Sequence, residues 1–252
     1  MLTVDLNADL GESYGNYTIG NDQDIIPLIS SANVACGFHA GDPSVMQETV
    51  RLIKDSGVTG IGAHPGFPDL MGFGRRYMDM TADEISTLII YQLGALDGFC
   101  RAQGQRMNHV KPHGALYNAT FTDPDLARTI AEAVKTYNPD LKLMGLSNQN
   151  LVKAGEAAGL AVRHEVFADR AYEADGTLVS RRKAGAMVTD TDEAAARVIR
   201  MVTEGRVEAI DGSDIEIQAD SICVHGDGEK ALEFVREIRR RLKENDIEVT
   251  TM

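Results

Sequence analysis

The 252-residue chain has no tryptophan, only seven prolines, and three cysteines, Cys36, Cys100 and Cys223. Three is an odd number, and the cysteines lie far apart in the chain. A disulfide framework is therefore not expected. Reduced thiols in a cytoplasmic protein are, each acting as a small buried hydrophobe. Basic residues are also scarce, with 25 Lys and Arg against 38 Asp and Glu, a net charge of −13. Nucleic acid and anionic membrane surfaces both require basic surface, so neither is an expected partner. An anionic small substrate stays compatible with this charge wherever cations cluster locally. No apolar run approaches the length of about 18 residues that a membrane span needs. The opening MLTVDLNADLG has a strand pattern, without the basic stretch and apolar core of a secretory signal. Several chemical motifs are missing too. There is no GxGxxG dinucleotide fingerprint, no GxxxxGK[ST] loop, no GxSxG elbow, no HExxH and no CxxC pair.

What is present alternates. Short apolar or β-branched runs near 2–8, 31–37, 59–64, 107–113, 141–146, 161–167 and 221–225 are expected strands, with helical patterns filling most of the gaps. Asp42-Pro43 supplies an N-cap and N1 proline, and Gly57 a helix stop. Thr81 and Glu84 form a capping box ahead of the stripe Ile85, Leu88, Ile89, Leu93, Leu96 and Cys100. Asp123-Pro124 opens a helix with Leu126, Ile130, Ala133, Val134 and Tyr137 on one face. Ala231, Val235, Ile238 and Leu242 mark the last helix. About seven βα units without a dinucleotide fingerprint predict a parallel barrel, α/β in class, as a single domain over 1–252. Residues 170–190 lack helical period and carry glycine at turn positions, which predicts a hairpin excursion.

Alternation inside the strands predicts where the chemistry lies. In Val4-Asp5-Leu6-Asn7-Ala8-Asp9 the apolar residues take one face and the polar ones the other. The outer face of a parallel barrel packs on helices, so Asp5, Asn7 and Asp9 should point inward. The same reasoning turns His109, Lys111 and His113 inward, and puts Cys223 and His225 on one face of the last strand. Gly37-Phe38-His39-Ala40-Gly41, Gly62-Ala63-His64-Pro65-Gly66, Lys111-Pro112-His113-Gly114 and His225-Gly226-Asp227-Gly228 place histidines at glycine-framed strand ends, where barrel active sites form. Asp9, His39, His64, Lys111 and His113 are the expected catalytic set, suited to hydrolysing a polar, anionic small molecule. Gly72-Phe73-Gly74-Arg75-Arg76 can cradle an anion, whereas Arg181-Arg182-Lys183 has the pattern of a solvated charge run. Asp9 with His39, His64 or His113 is also a donor set for a divalent metal, and spacing leaves that open.

DLNADLGES (5–13), ANVACGFHAGDP (32–43), GAHPGFPDLMGFGRR (62–76), VKPHGALYN (110–118) and VHGDG (224–228) resemble the LamB/YcsF family, the A subunits of bacterial ATP-dependent 5-oxoprolinase. The resemblance covers nearly the whole chain. It implies an irregular seven-stranded βα barrel similar to the glycoside hydrolase and deacetylase barrels. It implies ATP as co-substrate, 5-oxo-L-proline as substrate and subunits B and C as partners, with lactam opening to L-glutamate as the reaction. Within that reading Asp9 or one of the three histidines acts as general base and Lys111 stabilises developing negative charge. Asn7 and Asn33 orient the lactam amide, and Arg75 or Arg76 holds a carboxylate or phosphate. Glu12 and His225 complete the expected substrate-binding set. Two alternatives are kept: a metal-dependent deacetylase of a carbohydrate or other amide, and a non-catalytic regulatory subunit. Deacetylase-like barrels often carry two adjacent acids after the first strand, and here Leu10 stands where the second would be.

Overall fold

The computed structural model describes residues 1–224 and 231–251. Strand β1 (Leu2–Leu10) is followed by the short helix α1 (Asp22–Ile25), β2 (Ser31–Ala35), α2 (Pro43–Ser56), β3 (Gly60–His64) and α3 (Ala82–Ala102). Next come β4 (His109–Val110), α4 (Gly114–Ala119), α5 (Pro124–Tyr137), β5 (Lys142–Leu146), α6 (Asn150–Ala158) and β6 (Val162–Phe167). Helix α7 (Thr191–Glu204), β7 (Arg206–Glu208), β8 (Asp214–Glu216), β9 (Ser221–Cys223), α8 (Ala231–Glu244) and β10 (Ile247–Val249) follow. Strands β1 to β6 and β9 are all parallel, and β9 pairs with both β6 and β1, which closes a seven-stranded barrel.

The helices begin and end where their local chemistry says they should. Asp42 accepts from Ser44 N and Val45 N at the start of α2, and Gly57 ends it in the left-handed region. Thr81 and Glu84 make the full capping box of α3. Asp123 caps α5 ahead of Pro124. Each such cap stabilises its helix by about 1 kcal/mol. The stripe from Ile85 to Cys100 is buried against the barrel, as are Val235, Ile238 and Leu242 of α8.

Four features depart from the expected elements. The run 107–113 forms only two residues of strand, because Pro112 has no N–H to pair. Lys111 N and His113 N still donate to Ala63 O and Pro65 O, so the chain stays extended along β3. Strands β7 and β8 form an unexpected antiparallel hairpin. Strand β10 lies beside the first half of β1: Val4 O accepts from Thr250 N, and Leu6 O, on the same edge, from Ser30 N. In the 170–190 segment the pairing consists of isolated bridges, Arg170 with Met187 and Tyr172 with Leu178.

The barrel interior is polar. Val4, Leu6, Ala8 and Leu10 face outward and are buried under the helices, while Asp5, Asn7 and Asp9 face inward. At the base, Asp5 accepts from Ser30 Oγ (2.7 Å), Ser31 Oγ (2.6 Å) and Ser221 Oγ. Burial raises the Asp5 carboxyl above its ordinary range, against the pull of those hydroxyls. In the middle, Asn33 Nδ2 donates to Asn7 Oδ1 (2.7 Å), and Asn7 Nδ2 donates to Ser221 Oγ (2.7 Å). Asn33 Oδ1 is thereby fixed as an acceptor and takes the Nε2–H of His109 at 2.7 Å. Burial and the nearby Lys111 charge lower the His109 pKa to about 3.

The His109 ring occupies the space that a side chain at Gly62 would fill; a Cβ there would overlap the imidazole. We expect Gly62→Ala to destabilise the fold by about 3 kcal/mol, the upper end for overpacking. An unchanged melting curve for this variant would contradict the packing of His109 against Gly62.

Candidate active site

At the C-terminal ends of the strands the polar interior opens into a cavity of about 550 Å³. Asp9, Glu12, His64, Lys111, His113 and Arg75 line it, so most of the expected site residues meet there. His39 lies just behind, buried, with its ring stacked on His113 at a centroid distance of 3.6 Å and 3° between planes. His225 lies outside the described residues.

Lys111 is the centre of the charge network. It is 2% exposed, and its Nζ lies 2.9 Å from Asp9 Oδ1 and 2.7 Å from Glu165 Oε1. Cys223 Sγ and Asn7 Oδ1 are each 3.3 Å away. Burial by itself favours the neutral amine. The Asp9 and Glu165 carboxylates outweigh it and hold the Lys111 pKa well above its ordinary value. Glu165 is fully buried and its other oxygen accepts from Tyr117 Oη at 2.7 Å. A buried carboxylate requires such partners, since an unpaired ion in this environment is strongly unfavourable. Cys223, expected to be a simple hydrophobe, thus borders the ion pairs, and burial raises its thiol pKa.

The imidazoles are oriented by backbone carbonyls. His64 Nδ1 is 2.7 Å from Lys111 O, and His113 Nε2 is 2.8 Å from Phe73 O. A carbonyl only accepts, so each of these nitrogens carries the proton. Phe73 is one of few non-glycine residues in the left-handed region (φ 53°), and its carbonyl points at His113 from that conformation. Gly74 follows at φ 62°, and a Cβ on it would fall 2.6 Å from His39 Cβ and 2.7 Å from His113 Cδ2. That close approach explains the glycine-framed loop. Burial, reinforced by neighbouring imidazoles, lowers the His39 and His113 pKa values well below the ordinary one. The second nitrogens converge: His113 Nδ1 lies 3.0 Å from His64 Nε2 and 3.5 Å from Glu12 Oε1. Glu12 Oε1 is 3.2 Å from His39 Nε2, and Asp9 Oδ2 is 3.3 Å from His64 Nε2.

Three expected substrate-binding residues do not reach the cavity. Asn7 and Asn33 are fully buried, with their amides engaged in the middle layer of the barrel. Asn33 Nδ2 also donates to Asp9 Oδ1 at 2.9 Å, so Asn33, itself held by Asn7, positions Asp9 instead of meeting a ligand. Arg76 turns away to pair with Asp69, through its Nε at 3.0 Å. Arg75 does line the cavity, its guanidinium 5.1 Å from the Phe73 ring centre. Conversely, Arg170, Ser180, Arg181 and Arg182 line the cavity although their segment has no site-like pattern. Arg181 and Arg182, expected to be merely solvated, stand at its mouth. Glu165 was also not among the expected site residues. Its only signal is an acid at an inward position of an apolar strand. His164, the remaining histidine, is buried away from the cavity and accepts from Asn148 N at 3.3 Å.

Comparison with known proteins fits this geometry. The LamB/YcsF family model matches residues 4–252. The chain is 58% identical to the A subunit of 5-oxoprolinase from Staphylococcus carnosus, covering 100% of this chain and 99% of that one. Against the corresponding 5-oxoprolinase chain of Clostridium beijerinckii it is 57% identical, covering 99% and 97%. The crystal structure of the lactam utilization protein from Thermus thermophilus superposes with a TM-score of 0.94 at 47% identity, over 100% of both chains. With the match running from β1 through β10, the chain belongs to the LamB/YcsF family.

Proposed function

We propose that this chain is the component of an ATP-dependent 5-oxoprolinase in which the lactam of 5-oxo-L-proline is opened to L-glutamate. It works with partner subunits B and C. The observation that carries this reading is a carboxylate, Asp9, held by a buried lysine on the wall of a cavity rich in arginine. Relatives named as A subunits of 5-oxoprolinase support the substrate. Three buried, unpaired cysteines support a reducing, cytoplasmic setting, and no described helix is long and apolar enough to cross a membrane.

A five-membered lactam is an unstrained, resonance-stabilised amide. Phosphorylation of its oxygen by ATP removes that resonance and makes C5 electrophilic. Asp9 takes a proton from water as the water oxygen bonds to C5. The C–N bond then breaks, the ring nitrogen takes a proton, and the resulting acyl phosphate is hydrolysed by a second water to glutamate and phosphate. The Lys111 charge at the cavity wall opposes the negative charge that develops at C5 oxygens. Its described near neighbours are acceptors, so it also holds Asp9 in place. Arg75, Arg170 and Arg181 line the cavity and offer positive charge to the substrate carboxylate and phosphate. A cavity of about 550 Å³ accommodates both groups.

Arg181→Ala should raise KM for 5-oxoproline about tenfold or more with little change in kcat, as expected for loss of one charge-assisted contact. An unchanged KM would remove Arg181 from the substrate site. The function itself is tested by giving the chain, with its partner subunits, either 5-oxoproline and ATP or an acetylated amino sugar. ATP-dependent glutamate release is the expected result. Acetate release without ATP would replace this reading with an amide deacetylase.

A further inference from the structure

The geometry points to a divalent transition-metal site, of the zinc class, built by His64 Nε2, His113 Nδ1 and Glu12 Oε1 beside the Asp9–Lys111 pair. The argument begins with the tautomers. His64 donates its Nδ1–H to Lys111 O, and His113 donates its Nε2–H to Phe73 O. In the neutral rings the remaining nitrogens, His64 Nε2 and His113 Nδ1, therefore both carry lone pairs. These lone pairs face each other at 3.0 Å, with a Glu12 carboxylate oxygen 3.5 Å from one of them. Nothing in that set donates a hydrogen bond within it, so a cation between the three atoms is what makes their convergence favourable.

The spacings suit a metal. At metal–ligand distances near 2.1 Å, neighbouring ligand atoms are separated by roughly 3.0 Å at octahedral, 3.4 Å at tetrahedral and 3.6 Å at trigonal angles. The two observed separations, 3.0 and 3.5 Å, fall in that interval. One ligand atom from each of Glu12, His64 and His113, with His39 beside them, lies within 4.8 Å of the others. The outer contacts suit one as well. Imidazoles that bind metals typically donate their other N–H to a carbonyl or carboxylate, and both rings do so here. His39 Nε2, 3.2 Å from Glu12 Oε1, donates to that carboxylate and fixes its position. Two imidazoles and one carboxylate leave a further coordination position on the cavity side, as in catalytic sites, since Glu12, His64 and His113 all line the cavity. This site follows from donor geometry alone, whatever the substrate.

The competing occupant is a proton shared between His64 and His113. The full-length chain, stripped with a chelator and dialysed, is titrated with Zn²⁺ by calorimetry and with Co²⁺ by visible absorption. The expected result is one equivalent bound per chain, with the Co²⁺ form showing the d–d bands of a low-coordinate nitrogen and oxygen site. Glu12→Gln should weaken Zn²⁺ binding at least about 100-fold, and His113→Ala should abolish stoichiometric uptake. Melting curves of both variants without metal separate ligand loss from misfolding. Failure of the wild-type chain to take up either ion in stoichiometric amount would overturn the site in favour of the shared proton. So would uptake unchanged in both variants.

Discussion

Lys111→Met should cost the protein both its fold stability and its chemistry. Removing the ammonium leaves Glu165, fully buried, and Asp9 without their cation. Breaking a buried pair from one side typically destabilises by about 3–5 kcal/mol, because a charge stays desolvated and unpaired. The same change removes the positive charge on the cavity wall, which should lower kcat about 10²- to 10³-fold. The two effects separate in the double variant Lys111→Met with Glu165→Gln. The neutral amide still accepts from Tyr117 Oη, so most of the lost stability should return while glutamate formation stays low. Thermal denaturation and steady-state rates of the two variants check this. Recovery of rate together with stability would make Lys111 purely structural.

The second large effect concerns Asp9→Asn. The amide keeps the side-chain shape, and its oxygen can still accept from Lys111 Nζ and Asn33 Nδ2. Its Nδ2 would face His64 Nε2, 3.3 Å from the present carboxylate oxygen and able to accept. The variant is therefore expected to fold with a melting temperature close to that of the wild type. A carboxamide cannot take a proton from water, so kcat should fall by about 10³-fold or more with a small change in KM. A rate within tenfold of wild type would assign the general base to another group.

Much of this site is legible in the chain because strands alternate. Val4 to Asp9 places three polar residues on one face of an otherwise apolar strand, and no solvated reading of that face suits a buried parallel barrel. The glycine-framed histidines likewise mark strand ends, and His39, His64 and His113 do converge. Glu165 is harder to see. It sits in Val162-Arg163-His164-Glu165-Val166-Phe167, where nothing local distinguishes a core ion from an edge charge, and its partner Lys111 is distant in sequence. Asn7 and Asn33 lie on the right face but one layer too deep. Alternation tells inside from outside, yet carries no depth along the barrel axis. Arg75 and Arg76 are adjacent, and only the pairing of Arg76 with Asp69 decides which one reaches the cavity. Arg181 and Arg182 come to the mouth through a segment held by isolated bridges, which has no periodic pattern to interpret. Strand β10 is three residues long and gains its place from pairing with β1, a contact between the two ends of the chain.

The central claim is that this chain performs the lactam-opening step. It is tested most directly by measuring glutamate release from 5-oxoproline and ATP in a fixed mixture of subunits B and C as this chain is added. Release should be absent without the chain, rise to saturation with wild type, and stay at background with Asp9→Asn. Glutamate release by B and C alone at the full rate, or equal rates with wild type and Asp9→Asn, would contradict it.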